Sequence, residues 1–274
     1  MTPDPLAPLP AEQELHLAVV QTYLKQLRLP AMARECVALA RQADAQHTTY
    51  LGYLQALLEQ EVTQRAEHQV HRRLAQARFP YEKRLEEFDF AAVPSVPKLR
   101  ILELAQGAFL TQHQNLLFIG GSGLGKTHLL IGIGRALCVQ GYRVLFRTAA
   151  TLATELEVAQ QELRLPRLLA QWRKIDLVLV DELGYLPFTQ RSAELMFQFF
   201  SDRYERASVG ISSNLDFAHW TEVFGHERLT AALLDRLVHR SHTLSFSGES
   251  FRFRQSVQHR QREAGGSPGD GATP

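Results

Sequence analysis

The octapeptide GGSGLGKT, residues 120–127, restricts this chain more than any other stretch of it. Gly120, Gly125, Lys126 and Thr127 satisfy the spacing G-x-x-x-x-G-K-[ST], with Gly121, Ser122, Gly123 and Leu124 between the fixed positions. The flanks fit the same reading. An apolar run, LLFI, ends at Ile119, and a helical run, THLLIGIGRALC, begins at Thr127. Strand, glycine-rich turn and helix N-terminus together form a cradle of backbone N–H groups for phosphoryl oxygens. In that frame Lys126 reaches the β- and γ-phosphates of a nucleoside triphosphate, and the Thr127 hydroxyl ligates Mg²⁺.

Four more apolar runs follow at the intervals of an α/β protein: VLF at 144–146, IDLVLV at 175–180, SVGIS at 208–212 and TLSF at 243–246. Helical patterns separate them. In SAELMFQFFSDRYE, the residues Ala193, Met196, Phe197, Phe200 and Tyr204 form one stripe. Unbroken apolar strands alternating with helices predict a five-stranded parallel sheet covered on both faces. Gly210 interrupts one of these strands and predicts a weak one.

Asp181 and Glu182 stand just beyond the third strand, where an open α/β sheet binds its ligand. Asp181 suits the aspartate that holds a Mg²⁺ shell, and Glu182 suits a base for the attacking water. Asn214, directly after the fourth strand, offers a neutral amide to the γ-phosphate or to that water; taken alone it reads more often as a turn residue, and the preceding DE pair and strand favour the functional reading.

The chain has 274 residues, 45% hydrophobic and 22% charged, with a formal net charge of +1. Any attraction to nucleic acid must therefore come from local patches. Cys36 and Cys138 each lie in a helical apolar pattern and read as buried thiols in a reducing cytoplasm. The start, MTPDPLAPLP, has neither a basic region nor an apolar core, so no signal peptide is expected; no run is long enough to cross a membrane.

Residues 1–12 are expected to be disordered, followed by a small helical domain over 13–95 that includes a linker. Leu17, Val20, Leu24 and Leu27 mark a first helix closed by Pro30, and a second is expected over 31–43. Thr48 or Thr49 caps a third, with Leu51, Leu54, Leu58 and Val62 along one face, running toward Arg78. Its second half carries Arg65, His68, His71, Arg72, Arg73 and Arg78 against Glu67 alone. That face suits a DNA backbone, although a solvated charged face explains the run as well. Pro94 and Pro97 mark the linker FDFAAVPSVPKLR, with the domain boundary near residue 95. The nucleotide domain then covers 96–257, and 258–274 is expected to be a disordered tail.

Three further segments, DELGYLPF, SSNLDFAHWTEVFG and ALLDRLVHRSHTLSFSGESFRFRQ, resemble the IstB family of AAA+ helper proteins encoded beside a transposase in bacterial insertion sequences. The resemblance spans residues from about 15 to 257 and extends, less closely, to DnaC-type helicase loaders. It implies an AAA+ P-loop NTPase without the full C-terminal lid, binding ATP and Mg²⁺ between subunits of a homo-oligomer. It further implies double-stranded DNA and a cognate transposase as partners. Arg236 in LLDRL matches the arginine finger given to the neighbouring subunit, with Arg240 a second candidate, and Arg252 in ESFR matches a nucleotide contact in cis. Arg164, Arg167, Arg173 and Lys174 are additional candidates for DNA. A helicase loader is the alternative function, distinguished by a helicase-binding instead of a DNA-binding amino-terminal segment. A small-molecule kinase shares the phosphate loop but would need an acceptor pocket and a lid, and no pattern for either stands out.

Overall fold

A computed structural model describes residues 11–248 and 250, and these divide into two compact units that meet in sequence between Arg72 and Arg73. The first contains helices α1 (Ala11–Gln26) and α2 (Pro30–Ala45) and most of α3 (Tyr50–Ala77). Pro30 opens α2 and does not close α1, in keeping with a residue that has no N–H to leave unpaired in a first turn. The Thr49 hydroxyl accepts the Gly52 amide and caps α3 as expected.

The core of this unit is small: Leu24, Met32, Cys36 and Leu57, with Leu17, Leu29, Val37 and Tyr53 packed around them. The α3 face that turns inward carries Tyr53, Leu57 and Glu61, one helical turn apart. The predicted stripe of Leu51, Leu54, Leu58 and Val62 is instead exposed. Glu61 decides the difference. Its carboxylate is 3% exposed and accepts the amides of Ala31 at 2.9 Å and Met32 at 3.2 Å, so α3 caps α2. Arg65 donates to the same carboxylate at 2.8 Å and to the carbonyl of Arg28. This arginine therefore holds the unit together, while His68, His71 and Arg72 point to solvent.

The second unit adds α4 (Lys98–Ala105), α5 (Ala108–Thr111), β1 (Asn115–Gly120), α6 (Lys126–Val139) and β2 (Val144–Thr148). It continues with α7 (Ala149–Gln161), α8 (Leu165–Trp172), β3 (Leu177–Leu183), α9 (Gln190–Arg203) and β4 (Ser208–Ser213). It closes with α10 (Trp220–Phe224), α11 (Glu227–His239) and β5 (Ser241–Phe246). All five predicted strands form, in one parallel sheet of order β2-β3-β4-β1-β5. Successive strand residues point to opposite faces, and both faces are covered. Leu117, Ile119, Val178, Val180, Val209 and Ile211 face α7 to α11. Leu116, Phe118, Leu177, Leu179, Leu244 and Phe246 face α4, α5 and α6.

Two expectations are corrected by packing. Residues 88–100 do not form a free linker. Phe79, Leu85, Phe88, Phe90, Val93 and Val96 pack on the α6 side of the sheet, so residues 73–95 belong to the second unit. The prolines there punctuate 3₁₀ turns, and Asp89 caps one by accepting the amides of Ala91 and Ala92. Gly210 does not weaken its strand either. A Cβ there would lie 2.6 Å from Leu179 Cδ2 and 3.2 Å from Leu130 Cδ2, so the missing side chain seats two leucines in the centre of the sheet.

The amino edge of the sheet is closed by polar groups. Arg203 is 2% exposed and donates to the carbonyls of Trp172, Ile175 and Ser208; burial draws its pKa down to about 10. Asn115 donates to the Leu237 carbonyl and accepts the Val209 amide, and its own amide donates to the Arg240 carbonyl. Both cysteines are buried and free. Among the described residues no helix is long and apolar enough to cross a membrane.

Candidate nucleotide site

The phosphate loop, Asp181, Glu182 and Asn214 gather at the carboxyl ends of β1, β3 and β4. Gly120 ends β1, Gly121 and Ser122 are exposed, and Leu124 is buried beneath the loop. Gly123 and Gly125 take φ of +80° and +84°, a region costly for any residue with a Cβ. At Gly125 there is no space for one: a Cβ would stand 2.4 Å from Phe88 Cε2. The tight turn delivers Lys126 and Thr127 into the first turn of α6, where unpaired helix amides and the positive dipole end favour an anion.

Lys126 is 8% exposed, and its ammonium donates to the carbonyls of Gly120 at 2.6 Å and Gly121 at 2.7 Å. The loop's own oxygens thus hold a buried cation where an anion is expected to bind. Thr127 Oγ1 donates to Asp181 Oδ1 at 2.9 Å, and Ser212 Oγ donates to the same oxygen. Asp181 is 4% exposed. A threonine oxygen that has given its proton to a carboxylate keeps lone pairs free for a hard cation. A threonine hydroxyl beside an aspartate is an oxygen donor set of the kind Mg²⁺ takes.

Glu182 is exposed and holds φ of +60°, the left-handed region that glutamate seldom enters. The β3–β4 register shifts between Val180 and Leu183, and the Glu182 amide donates to Ser212 Oγ at 3.1 Å. A regular strand would send neighbours such as Asp181 and Glu182 to opposite faces; the bulge lifts that restriction. Beyond β4, the buried Oδ1 of Asn214 has no hydrogen-bond partner among the described residues. Ser213 fixes the turn that carries it, through hydrogen bonds with the amide and carbonyl of Leu215. A buried acceptor left open in this place suits a water that donates to it, while the nitrogen of the same amide can donate to a phosphate oxygen.

Beside the loop lies a cavity of about 550 Å³ lined by Tyr81, Lys83, Glu87, Phe88, Asp89 and residues 123–128. Its size matches a small-molecule pocket. Phe88 stands edge-on to His128, with ring centres 5.3 Å apart. Phe88 and Asp89 fall in the stretch expected to be a linker. The aromatic pair in FDF, in a stretch otherwise interrupted by prolines, was the available sign of a packed segment.

The arginines separate into three groups. Arg236 lies in the last turns of α11, which leads into the first residue of β5 at the amino end of the sheet, away from the phosphate loop. Its guanidinium stacks 4.6 Å over the Phe197 ring and donates to Ser201 Oγ at 2.7 Å. Arg240 follows at the same edge and is exposed. Arg164 pairs with Glu162 and Arg173 forks onto Asp202, leaving Arg167 and Lys174 as exposed neighbours. Arg252 lies outside the described residues.

Known proteins agree with this geometry. The family model for IstB-like ATP binding proteins matches residues 22–259. The ATP-binding protein of insertion sequence IS5376 from Geobacillus stearothermophilus is 37% identical over 236 residues, covering 86% of this chain and 94% of that one. Its counterpart in IS21 of Pseudomonas aeruginosa is 38% identical over 236 residues, covering 86% and 89%. Among solved structures, AMPPCP-bound DnaA from Aquifex aeolicus has a TM-score of 0.52 at 19% identity, covering 66% of this chain and 55% of that one. A DnaI crystal structure has a TM-score of 0.50 at 18% identity, covering 62% and 90%. These last two likenesses show that this chain shares the fold of those proteins. The extent of the family match and the identity to the insertion-sequence proteins place this chain in the IstB-like ATP-binding family.

Proposed function

We propose that this chain is a cytoplasmic ATPase that assembles on double-stranded DNA as a homo-oligomer and assists the transposase of its insertion sequence. The observation that carries the reading is the cluster of Lys126, Thr127 and Asp181 at the mouth of the phosphate loop, in a chain of this family. Lys126 exchanges the carbonyls of Gly120 and Gly121 for the β- and γ-phosphate oxygens. Thr127 and Asp181 would hold the metal. Mg²⁺, when bound, neutralises phosphate charge and orients the leaving group. Glu182 accepts the proton of the attacking water, and the Asn214 amide holds that water or the γ-phosphate without adding charge.

Arg236 lies at the wrong end of the sheet to serve its own site, so its role as a finger requires a second copy. Arginine suits the task because its charge is permanent and its fork matches phosphate oxygens. Arg240 is the alternative finger, and Arg252 the contact in cis. DNA lies against the exposed basic part of α3, from His68 to Arg72, with Arg65 withdrawn to Glu61. Sharing one duplex among many subunits also distributes the several kcal/mol that bending it requires.

The test is binding of a fluorescent duplex at rising salt with and without ATP. ATP-dependent assembly that disappears in Lys126→Ala supports the reading. Duplex binding that is absent, or indifferent to both nucleotide and Lys126, refutes it.

A further inference from the structure

Ser212 is a buried polar group at the site that the roles above leave unused. It is 2% exposed, next to last in a β4 strand whose every residue is buried. A hydroxyl this deep needs partners, and both of its partners belong to the catalytic segment of β3. It donates to Asp181 Oδ1 and accepts the amide of Glu182. The ladder between β3 and β4 breaks at this point, with the register shifted between Val180 and Leu183. Ser212 Oγ therefore takes the place of the backbone carbonyl that a regular ladder would offer to the Glu182 amide.

We propose that Ser212 is a positioning residue for hydrolysis: one hydroxyl fixes the carboxylate of Asp181 and the left-handed backbone of Glu182 together. Asp181 Oδ1 accepts two hydrogen bonds, from Thr127 and Ser212, so Oδ2 is the oxygen that would serve a metal's shell. The Glu182 backbone is held in a region it would otherwise leave, so its carboxylate starts from one defined Cα position. Metal holding and water activation are thereby set by a single side chain whose hydroxyl bonds to Asp181 and to the Glu182 amide. The inference rests on the ATPase reading given above.

The experiment compares wild type, Ser212→Ala, Ser212→Thr and Lys126→Ala as full chains with duplex DNA. It measures steady-state hydrolysis against ATP and against Mg²⁺, together with the affinity for a fluorescent ATP analogue in EDTA. Loss of a group that orients a metal ligand typically costs about 10–100-fold in metal affinity or activity. Ser212→Ala should lose about that much kcat and need about tenfold more Mg²⁺ for half-maximal rate. Its analogue affinity without metal should stay within about threefold of wild type, because no phosphate-loop contact is removed. Ser212→Thr, which keeps the hydroxyl, should recover most of the rate. The proposal is overturned if Ser212→Ala keeps the wild-type rate and Mg²⁺ dependence. It is equally overturned if metal-free affinity falls in step with the rate, since that is the signature of general damage. A wild type without Lys126-dependent hydrolysis would instead remove the ATPase reading itself, and the role of Ser212 with it.

Discussion

Glu182 should behave unlike almost any other exposed residue when replaced. Its φ of +60° lies where a side chain with a Cβ costs about 1–2 kcal/mol. Its carboxylate is exposed at the mouth of the site, so removing it sacrifices no buried packing. Glycine ordinarily destabilises a position by roughly 0.5–1 kcal/mol relative to alanine through the entropy of the unfolded chain. Here relief of the left-handed backbone outweighs that loss, and the order reverses. Glu182→Gly should be more stable than Glu182→Ala by about 0.5–1 kcal/mol, which for a unit of this size is about 1–4 °C in Tm. The assay is tryptophan fluorescence during urea or thermal unfolding. Both tryptophans of the chain, Trp172 and Trp220, are buried in the core of the second unit and report on it alone. Both variants should bind ATP and hydrolyse it at least about 100-fold more slowly than wild type, within the usual range for loss of a general base. Should alanine prove as stable as glycine at 182, the strained backbone is not there. Should either variant turn over normally, Glu182 is not the base.

Three more outcomes follow from the same geometry. Gly125→Ala forces a left-handed alanine against Phe88, so ATP affinity should fall by about tenfold or more, the equivalent of about 1.4 kcal/mol, measured by titration with a fluorescent analogue; wild-type affinity would disprove the tight turn. At Glu61 burial pushes the carboxyl pKa up, but the Met32 amide, the Arg65 guanidinium and the Ala31 amide more than offset it, and the net shift is downward. Its stabilisation is thus complete above the unfolded value of about 4.3 and is lost as pH falls through the lower folded value. By circular dichroism, Glu61→Gln should be less stable than wild type by about 2 kcal/mol at pH 7, with the gap closing toward pH 3; a gap independent of pH would contradict the capping role. Cys36 and Cys138 are buried, and burial raises the Cys138 thiol to about 11, so a disulfide reagent at pH 8 should label neither until the chain is unfolded; rapid native labelling would refute their burial.

The second unit was legible because its signals are local. Short apolar runs become parallel strands whenever helices cover both faces, and GGSGLGKT carries its backbone geometry in its glycines. What escaped depends on contacts made at a distance. Pro94 and Pro97 read as linker punctuation, yet Val93 and Val96 beside them pack on the α6 side of the sheet. Gly210 looks like a flaw until Leu179 and Leu130 are seen to need its empty space. The leucine stripe from Leu51 to Val62 follows helical periodicity correctly but gives no direction. The face that packs is chosen by Glu61, whose target is the start of another helix thirty residues earlier in the chain. Ser212 is likewise invisible in isolation, since a serine near a strand end has no meaning until the bulge of the neighbouring strand is placed beside it.

The central claim, a phosphate site that one copy supplies and a second copy completes, is tested most directly by mixing two defective chains. Lys126→Ala retains Arg236 but cannot hold the phosphates, and Arg236→Ala retains the phosphate loop but has no finger. Each alone should hydrolyse ATP slowly in the presence of duplex DNA, since fingers of this kind accelerate related reactions by about 10³–10⁵-fold. An equimolar mixture should exceed both several-fold, because an intact loop then meets an intact arginine across an interface. A mixture no faster than the average of its parts, with Arg236→Ala alone as fast as wild type, would contradict the shared site.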